Sequence, residues 1–293
     1  VREMTLPADP FEIEIQAHKI RLSERELAKM IDHTLLRPDA SKKEIEKLVL
    51  EAKKYEFYAI CVNPFWISYV KKLLRDTDIK VVTVVSFPLG ASSTHAKTEE
   101  VRKSIEDGAD EIDMVMNIGA FKSKDFTRVG DDISAVVEAA NGKPVKVILE
   151  NGFLTYEEIE TASKIAMDAG AAFVKTSTGF GPLGATPLHV KAMKKIVGDK
   201  VGVKAAGGIR TYENVARMIA AGADRIGTSS GVKIMETYKE LASKDFDFPY
   251  EIPCKLCPSA YVNKKMPQEV IDYYNKKCEL CKYRIFRRLI SGK

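Results

Sequence analysis

Eight short apolar runs recur along 293 residues, helical periodicity fills most of the gaps between them, and charged side chains return to one face of several runs. Together these predict an α/β protein built as a (β/α)8, or TIM, barrel. The first two features also suit an open, doubly wound sheet. The third separates the two folds, because a parallel sheet covered by helices on both faces is apolar on both. A closed barrel holds charges that point at one another across its interior.

Taken in order, residues 12–30 read as a polar helical leader that closes one end of the barrel, with Ser23 an N-cap for a helix from Glu24 to Met30. Strand-like runs follow at Met30–Leu35, Phe57–Val62, Val81–Phe87, Glu111–Ile118, Val145–Glu150, Ala172–Ser177, Val201–Ala206 and Arg225–Ser229. Helical stretches lie at Lys42–Tyr55, Thr98–Asp107, Phe126–Ala140, Tyr156–Ala169, Pro187–Val197 and Tyr212–Ala221. The expected organisation is a leader over 1–30, a barrel over 31–245 and an extension over 246–293.

The strand period of two assigns faces. Ile112, Met114 and Met116 suit packing against helices, which leaves Glu111 and Asp113 facing inward. By the same parity Lys146, Ile148 and Glu150 face the interior, and Phe173, Lys175 and Ser177 share one face. Lys204 sits opposite Val201, Val203 and Ala205. Unpaired buried ions cost several kcal/mol, so Glu111 and Glu150 read as structural partners, with Glu111 matched to Lys146. Asp113, Lys175 and Lys204 lie late in their strands, toward the end where barrels of this kind build active sites, and read as functional.

Two interior lysines suggest amine chemistry. A lysine at its reference pKa of ~10.4 is almost fully protonated at neutral pH, and bringing it to ~7–8 means destabilising the ammonium by about 4 kcal/mol. A second ammonium about 5 Å away supplies ~3 kcal/mol at an effective dielectric near 20. A carboxylate touching the same amine would cancel this, so Asp113 is expected beside the reacting carbons. The hydroxyls of Thr176, Ser177 and Thr178 make Lys175 the expected nucleophile and Lys204 its electrostatic neighbour. Glycine-rich segments after the last two strands, Gly207-Gly208 and Gly227 to Gly231, stand where barrels hold phosphate on backbone N–H groups.

Composition bounds the rest. With 45% hydrophobic and 30% charged residues the chain is globular. No apolar run approaches the ~20 residues of a membrane span, and Val1 to Gln16 shows no basic-then-apolar signal, so a cytoplasmic protein with no membrane association is expected. Residues 251–293 hold ten Lys/Arg against four Asp/Glu, leaving 36 against 37 elsewhere. That basic extension carries Cys254, Cys257, Cys278 and Cys281, whose spacing is close to a tetrathiolate zinc site. Two disulfides, free thiols and an iron–sulfur cluster are the alternatives. Lys282, Arg284, Arg287 and Arg288 read as a solvated helix face rather than a nucleic-acid surface, aromatic interleaving being limited to Tyr283 and Phe286.

From Ile31 to Ile234 the sequence resembles the deoxyribose-phosphate aldolases, class I Schiff-base enzymes on the barrel fold. The marks are Ile31 to Leu35, Ala59 to Pro64, Ser86 to Gly90, Glu111 to Val115, Lys146 to Glu150, Phe173 to Gly179, Lys204 to Arg210 and Arg225 to Ser230, in that order. The resemblance implies that Lys175 forms the Schiff base, Lys204 perturbs it and Asp113 shuttles protons, with Lys146 in their network. It places Asp32 and Cys61 along the substrate site and Thr178, Gly179, Gly207, Gly208, Ser229 and Ser230 in a phosphate cradle, with Phe180 where some members carry a lysine. The implied reaction is the reversible cleavage of 2-deoxy-D-ribose 5-phosphate to acetaldehyde and D-glyceraldehyde 3-phosphate. It needs no cofactor for catalysis, so zinc is expected only in the extension. Phosphosugar and aldehydes are the expected partners of a homo-oligomer. The alternatives are another Schiff-base aldolase or a different phosphate-binding barrel enzyme, with the cysteine-rich extension as a binding module.

Overall fold

The structure, a computed structural model, describes residues 6–246, 248 and 258–279, apart from the side chains of 259, 260 and 277–279. Its strands are β1 (Ile31–Leu35), β2 (Ala59–Val62), β3 (Lys80–Val85), β4 (Glu111–Val115), β5 (Val145–Ile148), β6 (Phe173–Lys175), β7 (Gly202–Ala206) and β8 (Arg225–Thr228). Each pairs in parallel with the next, and β8 pairs with β1 to close the barrel. Parallel neighbours need a crossover of a dozen or more residues, and every gap between strands contains at least one helix.

The helices are α1 (Pro10–Ala17), α2 (Glu24–Lys29), α3 (Lys42–Tyr55), α4 (Ile67–Leu73), α5 (Thr94–Glu106), α6 (Ile118–Lys122), α7 (Phe126–Ala139), α8 (Tyr156–Asp168), α9 (Pro187–Val197), α10 (Tyr212–Ala220), α11 (Gly231–Ala242) and α12 (Gln268–Glu279). Capping boxes start three of them, at Ser23 with Glu26, Ser41 with Glu44 and Thr155 with Glu158. Each satisfies orphan N–H groups at a helix start in the manner the sequence encodes.

Two expectations change. The fourth strand stops at Val115, not Ile118, because Asn117 Oδ1 accepts from Ala120 N at 3.0 Å and caps α6. The leader is two short helices, the second capped at Ser23 as expected, and α1 lies on the barrel's flank against α10 instead of across its end. There the Glu14 carboxylate takes two hydrogen bonds from the buried Arg217 guanidinium, at 2.8 and 2.9 Å.

Outward strand residues such as Ile60, Met114, Val147, Val174 and Val203 pack against the helices in the main core. The interior is split. Toward β2 and β3 it is apolar, a cluster of Leu36, Ala59, Cys61, Val82 and Val84. From β4 round to β1 it is charged, with Glu111, Asp113, Lys146, Lys175, Lys204, Arg225 and Asp32 all buried. In-register neighbours of a parallel sheet point the same way, and Lys175 pairs with Lys204, Lys204 with Arg225 and Asp113 with Lys146.

Beyond α11 the described chain returns to the barrel's side. Tyr274 of α12 is fully buried, and its hydroxyl donates to Leu154 O at 2.9 Å and lies 2.7 Å from His189 Nε2. The Asn263 amide donates to Pro182 O at 3.0 Å. Among the described residues no helix is long and apolar enough to cross a membrane.

Candidate active site

Strand parity and barrel closure bring the interior charges into contact. Asp113 Oδ2 accepts from both Lys175 Nζ and Lys204 Nζ, each at 2.8 Å, and Asp113 Oδ1 accepts from Lys146 Nζ at 2.8 Å. Lys204 also pairs with Asp32. Asp32 in turn takes Arg225 at 3.1 Å, while Lys146 reaches Glu111 at 2.6 Å. The Arg225 guanidinium lies 3.5 Å from the Tyr58 ring centroid, and Tyr58 donates to Glu111 at 2.8 Å. Lys204 lies along the glycine of β8, where a Cβ on Gly227 would come within 2.9 Å of Lys204 Cε.

Burial by itself would push the Asp113 carboxyl up, but the ammonium groups of Lys146, Lys175 and Lys204 outweigh it and hold the carboxyl well below the usual range. Burial likewise opposes charge on Lys146 and Lys204, and the carboxylates of Asp113 and Asp32 more than offset it, so both lysines are pushed up. Four cations, Lys146, Lys175, Lys204 and Arg225, face three carboxylates, Asp32, Glu111 and Asp113. Lys146 and Lys204 each pair with two of those carboxylates, Lys175 with Asp113 alone.

Lys175 is also the member of this network that lines a cavity at the C-terminal end of the strands. It shares this cavity of about 440 Å3 with Thr34, Leu35, Leu36, Arg37, Thr178, Gly179, Phe180, Gly207, Gly208, Arg210, Ser229 and Ser230. These come from the end of β1 and the loops after β1, β6, β7 and β8. Gly207 and Gly208 hold positive φ, +96° and +78°, which turns the chain back along the cavity wall. The N–H groups of Gly179, Gly208 and Ser229 have no hydrogen-bond acceptor among the described residues.

A family model for DeoC/LacD family aldolases matches residues 27–237. The chain belongs to the DeoC/LacD aldolase family. It is thus an aldolase, a carbon–carbon lyase. Two relatives named deoxyribose-phosphate aldolase are those of Dictyoglomus turgidum, 56% identical over 72% of this chain and 96% of its own length, and Thermococcus kodakarensis, 55% identical over 73% and 98%. The solved deoxyribose phosphate aldolase of Aeropyrum pernix, described as having a unique tetrameric structure, superposes with a TM-score of 0.74 at 34% identity, over 79% of this chain and 98% of its own.

Within this DeoC/LacD aldolase the residues expected at the site separate into layers. Lys175, Thr178, Gly179, Gly207, Gly208, Ser229 and Ser230 line the cavity. Lys204, Asp113, Lys146 and Asp32 form the charged layer beneath it. Cys61 is fully buried in the apolar half, where burial pushes its thiol up, and it is absent from the cavity wall.

Asp113 departs from expectation by touching the amines directly. Closing the barrel gathers three ammonium groups in one dry interior, and a shared carboxylate is what makes that tolerable. The expected trio of hydroxyls is also thinned. Thr176 Oγ1 donates to Ala206 O at 2.9 Å, and Thr178 Oγ1 pairs with Glu150. Ser177 Oγ is buried without a hydrogen-bond partner among the described residues. Arg225 belongs to the network although its position at the start of a strand carried no signal of it. Its place there follows from the register that sets it beside Lys204.

The four-cysteine expectation lies outside the described residues: Cys254, Cys257 and Cys281 are not described, nor is the side chain of Cys278. Among the described residues no cluster of His, Cys, Asp and Glu is arranged to hold a metal ion.

Proposed function

We propose that this aldolase cleaves 2-deoxy-D-ribose 5-phosphate reversibly to acetaldehyde and D-glyceraldehyde 3-phosphate through a Schiff base on Lys175. The observation that carries the reading is the charge count around Asp113. Three carboxylates face four cations, and the cation with one carboxylate partner is the one at the cavity.

In this scheme the neutral Lys175 amine attacks C1 of the open-chain sugar, and the carbinolamine takes up a proton on its hydroxyl and loses water to give the iminium. A base takes the proton of the C3 hydroxyl, the C2–C3 bond breaks, and its electron pair moves into the iminium to leave an enamine on Lys175. D-Glyceraldehyde 3-phosphate departs. Protonation of the enamine at C2 and hydrolysis then release acetaldehyde and regenerate the amine. Asp113 Oδ2, held between Lys175 and Lys204, is the group placed to relay these protons with water. When the Lys175 nitrogen becomes a neutral enamine, Asp113 loses one of its three cationic neighbours and its proton affinity rises.

The N–H groups of Gly179, Gly208 and Ser229, without an acceptor among the described residues, and Arg210 on the same wall supply donors for the phosphate. The enzyme works as an oligomer in this reading, which the tetrameric relative from Aeropyrum pernix supports.

The test is borohydride reduction in the presence of deoxyribose 5-phosphate, followed by peptide mapping. The expected result is a reduced two-carbon or sugar adduct on Lys175. An adduct on another lysine, or none, overturns the assignment, and trapping only with other aldehydes points to a different Schiff-base aldolase.

A further inference from the structure

The loop that leaves β6 carries Lys175 at its root and lines the cavity with Thr178, Gly179 and Phe180. A side chain from the neighbouring β5 loop holds it from beneath. Glu150, two residues past the end of β5, is 1% exposed and adopts a left-handed backbone conformation, φ +57°, uncommon for a residue with a side chain. Its carboxyl takes the Thr178 hydroxyl as a donor and lies 3.3 and 3.4 Å from Thr178 N. Phe180 N then donates to Thr178 Oγ1 at 3.0 Å, so one relay runs from the Phe180 amide through the Thr178 hydroxyl to Glu150. The carboxyl also sits against Gly181, where any Cβ would approach it to 2.6 Å. Burial pushes the Glu150 carboxyl up, against the Thr178 hydrogen bonds that favour its ionised form.

These contacts decide what the loop can offer a ligand. Thr178 has both its hydroxyl proton and its amide turned to Glu150, and the Phe180 amide is turned to Thr178. The Gly179 N–H between them is left without an acceptor among the described residues. Glu150 therefore presents one backbone donor to the cavity and withholds its two neighbours.

We propose that Glu150, acting through Thr178, is a positioning residue for the phosphate end of the substrate, setting the Gly179 N–H against the phosphate while taking no part in bond making or breaking. This inference rests on the aldolase reading above. Unlike that reading, it concerns recognition of the phosphate and not the chemistry at Lys175.

The test compares E150Q, which keeps size and one carbonyl oxygen, with T178V, which keeps shape and removes the hydroxyl, on 2-deoxyribose 5-phosphate and on unphosphorylated 2-deoxyribose. Losing one charge-assisted hydrogen bond is expected to raise KM for the phosphorylated sugar about five- to tenfold. kcat for that sugar and kcat/KM for the unphosphorylated sugar should stay within about twofold. The double variant should fall no further than E150Q, since both changes break one relay. Equal losses on the two sugars, additive losses, or no change in KM would each overturn the proposal. Should E150Q not fold, E150D, which keeps the charge and withdraws the carboxyl from Thr178, gives the same split or refutes it. Borohydride trapping of acetaldehyde on Lys175 should be unchanged in both variants, and its failure in the unaltered enzyme would instead reject the aldolase reading.

Discussion

Asp113 Oδ2 stands 2.8 Å from Lys175 Nζ, deep in the barrel, with no solvent exposure of its own. The same carboxylate neutralises Lys146 and Lys204, so removing its charge touches both chemistry and stability. D113N is expected to lower kcat by about two to four orders of magnitude, the usual weight of a general acid–base group. It is also expected to destabilise the fold by about 3–5 kcal/mol, because the buried ammonium groups of Lys146 and Lys204 lose a shared partner. Steady-state cleavage rates and chemical denaturation measure the two effects separately.

The two lysines should differ in stability as well as in chemistry. Lys204 bridges Asp32 and Asp113, whereas Lys175 meets Asp113 alone. Replacing Lys204 with methionine leaves two carboxylates short of a partner and should lower stability by about 3–5 kcal/mol. K175M should cost less and abolish borohydride trapping, while K204M still traps acetaldehyde, more slowly. Thermal melts and mass spectrometry check both. A K175M variant less stable than K204M would contradict the charge count.

His189 makes the fold sensitive to mild acid. It is fully buried, and burial pushes its imidazole from the ordinary 6.5 down to about 3. Below pH 6.5 the unfolded chain binds a proton that the folded chain refuses, so stability is complete above that pH and drains away as pH falls toward 3. At pH 5 the loss amounts to about 2 kcal/mol from this group. In H189Q the drop in denaturation midpoint between pH 7.5 and pH 5 should shrink by a corresponding amount, whatever the substitution costs at pH 7.5.

The returning C-terminal segment is anchored at Tyr274. Its hydroxyl satisfies Leu154 O and meets His189 Nε2, both buried. Y274F should destabilise the protein by about 1–3 kcal/mol, the cost of leaving such groups without their partner, with kcat unchanged. Thermal unfolding and steady-state kinetics together check it.

Much of the scaffold is legible before folding. The helices Lys42–Tyr55 and Pro187–Val197 have the bounds that their periodicity and caps dictate. The strand faces follow from a period of two. Where local signals conflict, as at Met114 to Ile118, an apolar run reads on as strand although Asn117 turns it into a helix cap. The short α4 carries too little periodicity to stand out.

By itself the sequence determined that Lys175, Lys204, Asp113 and Lys146 share the barrel interior and that glycine loops crown the last strands, since both are properties of neighbouring residues along one strand or turn. Only the tertiary structure decided that Asp113 touches both Lys175 and Lys204, that Arg225 and Asp32 complete the network, and that Thr178 is bound to Glu150. Those contacts join strands far apart in the chain. Their distances are set by barrel closure and register, and the charges settle there because a dry interior admits ammonium groups only beside carboxylates.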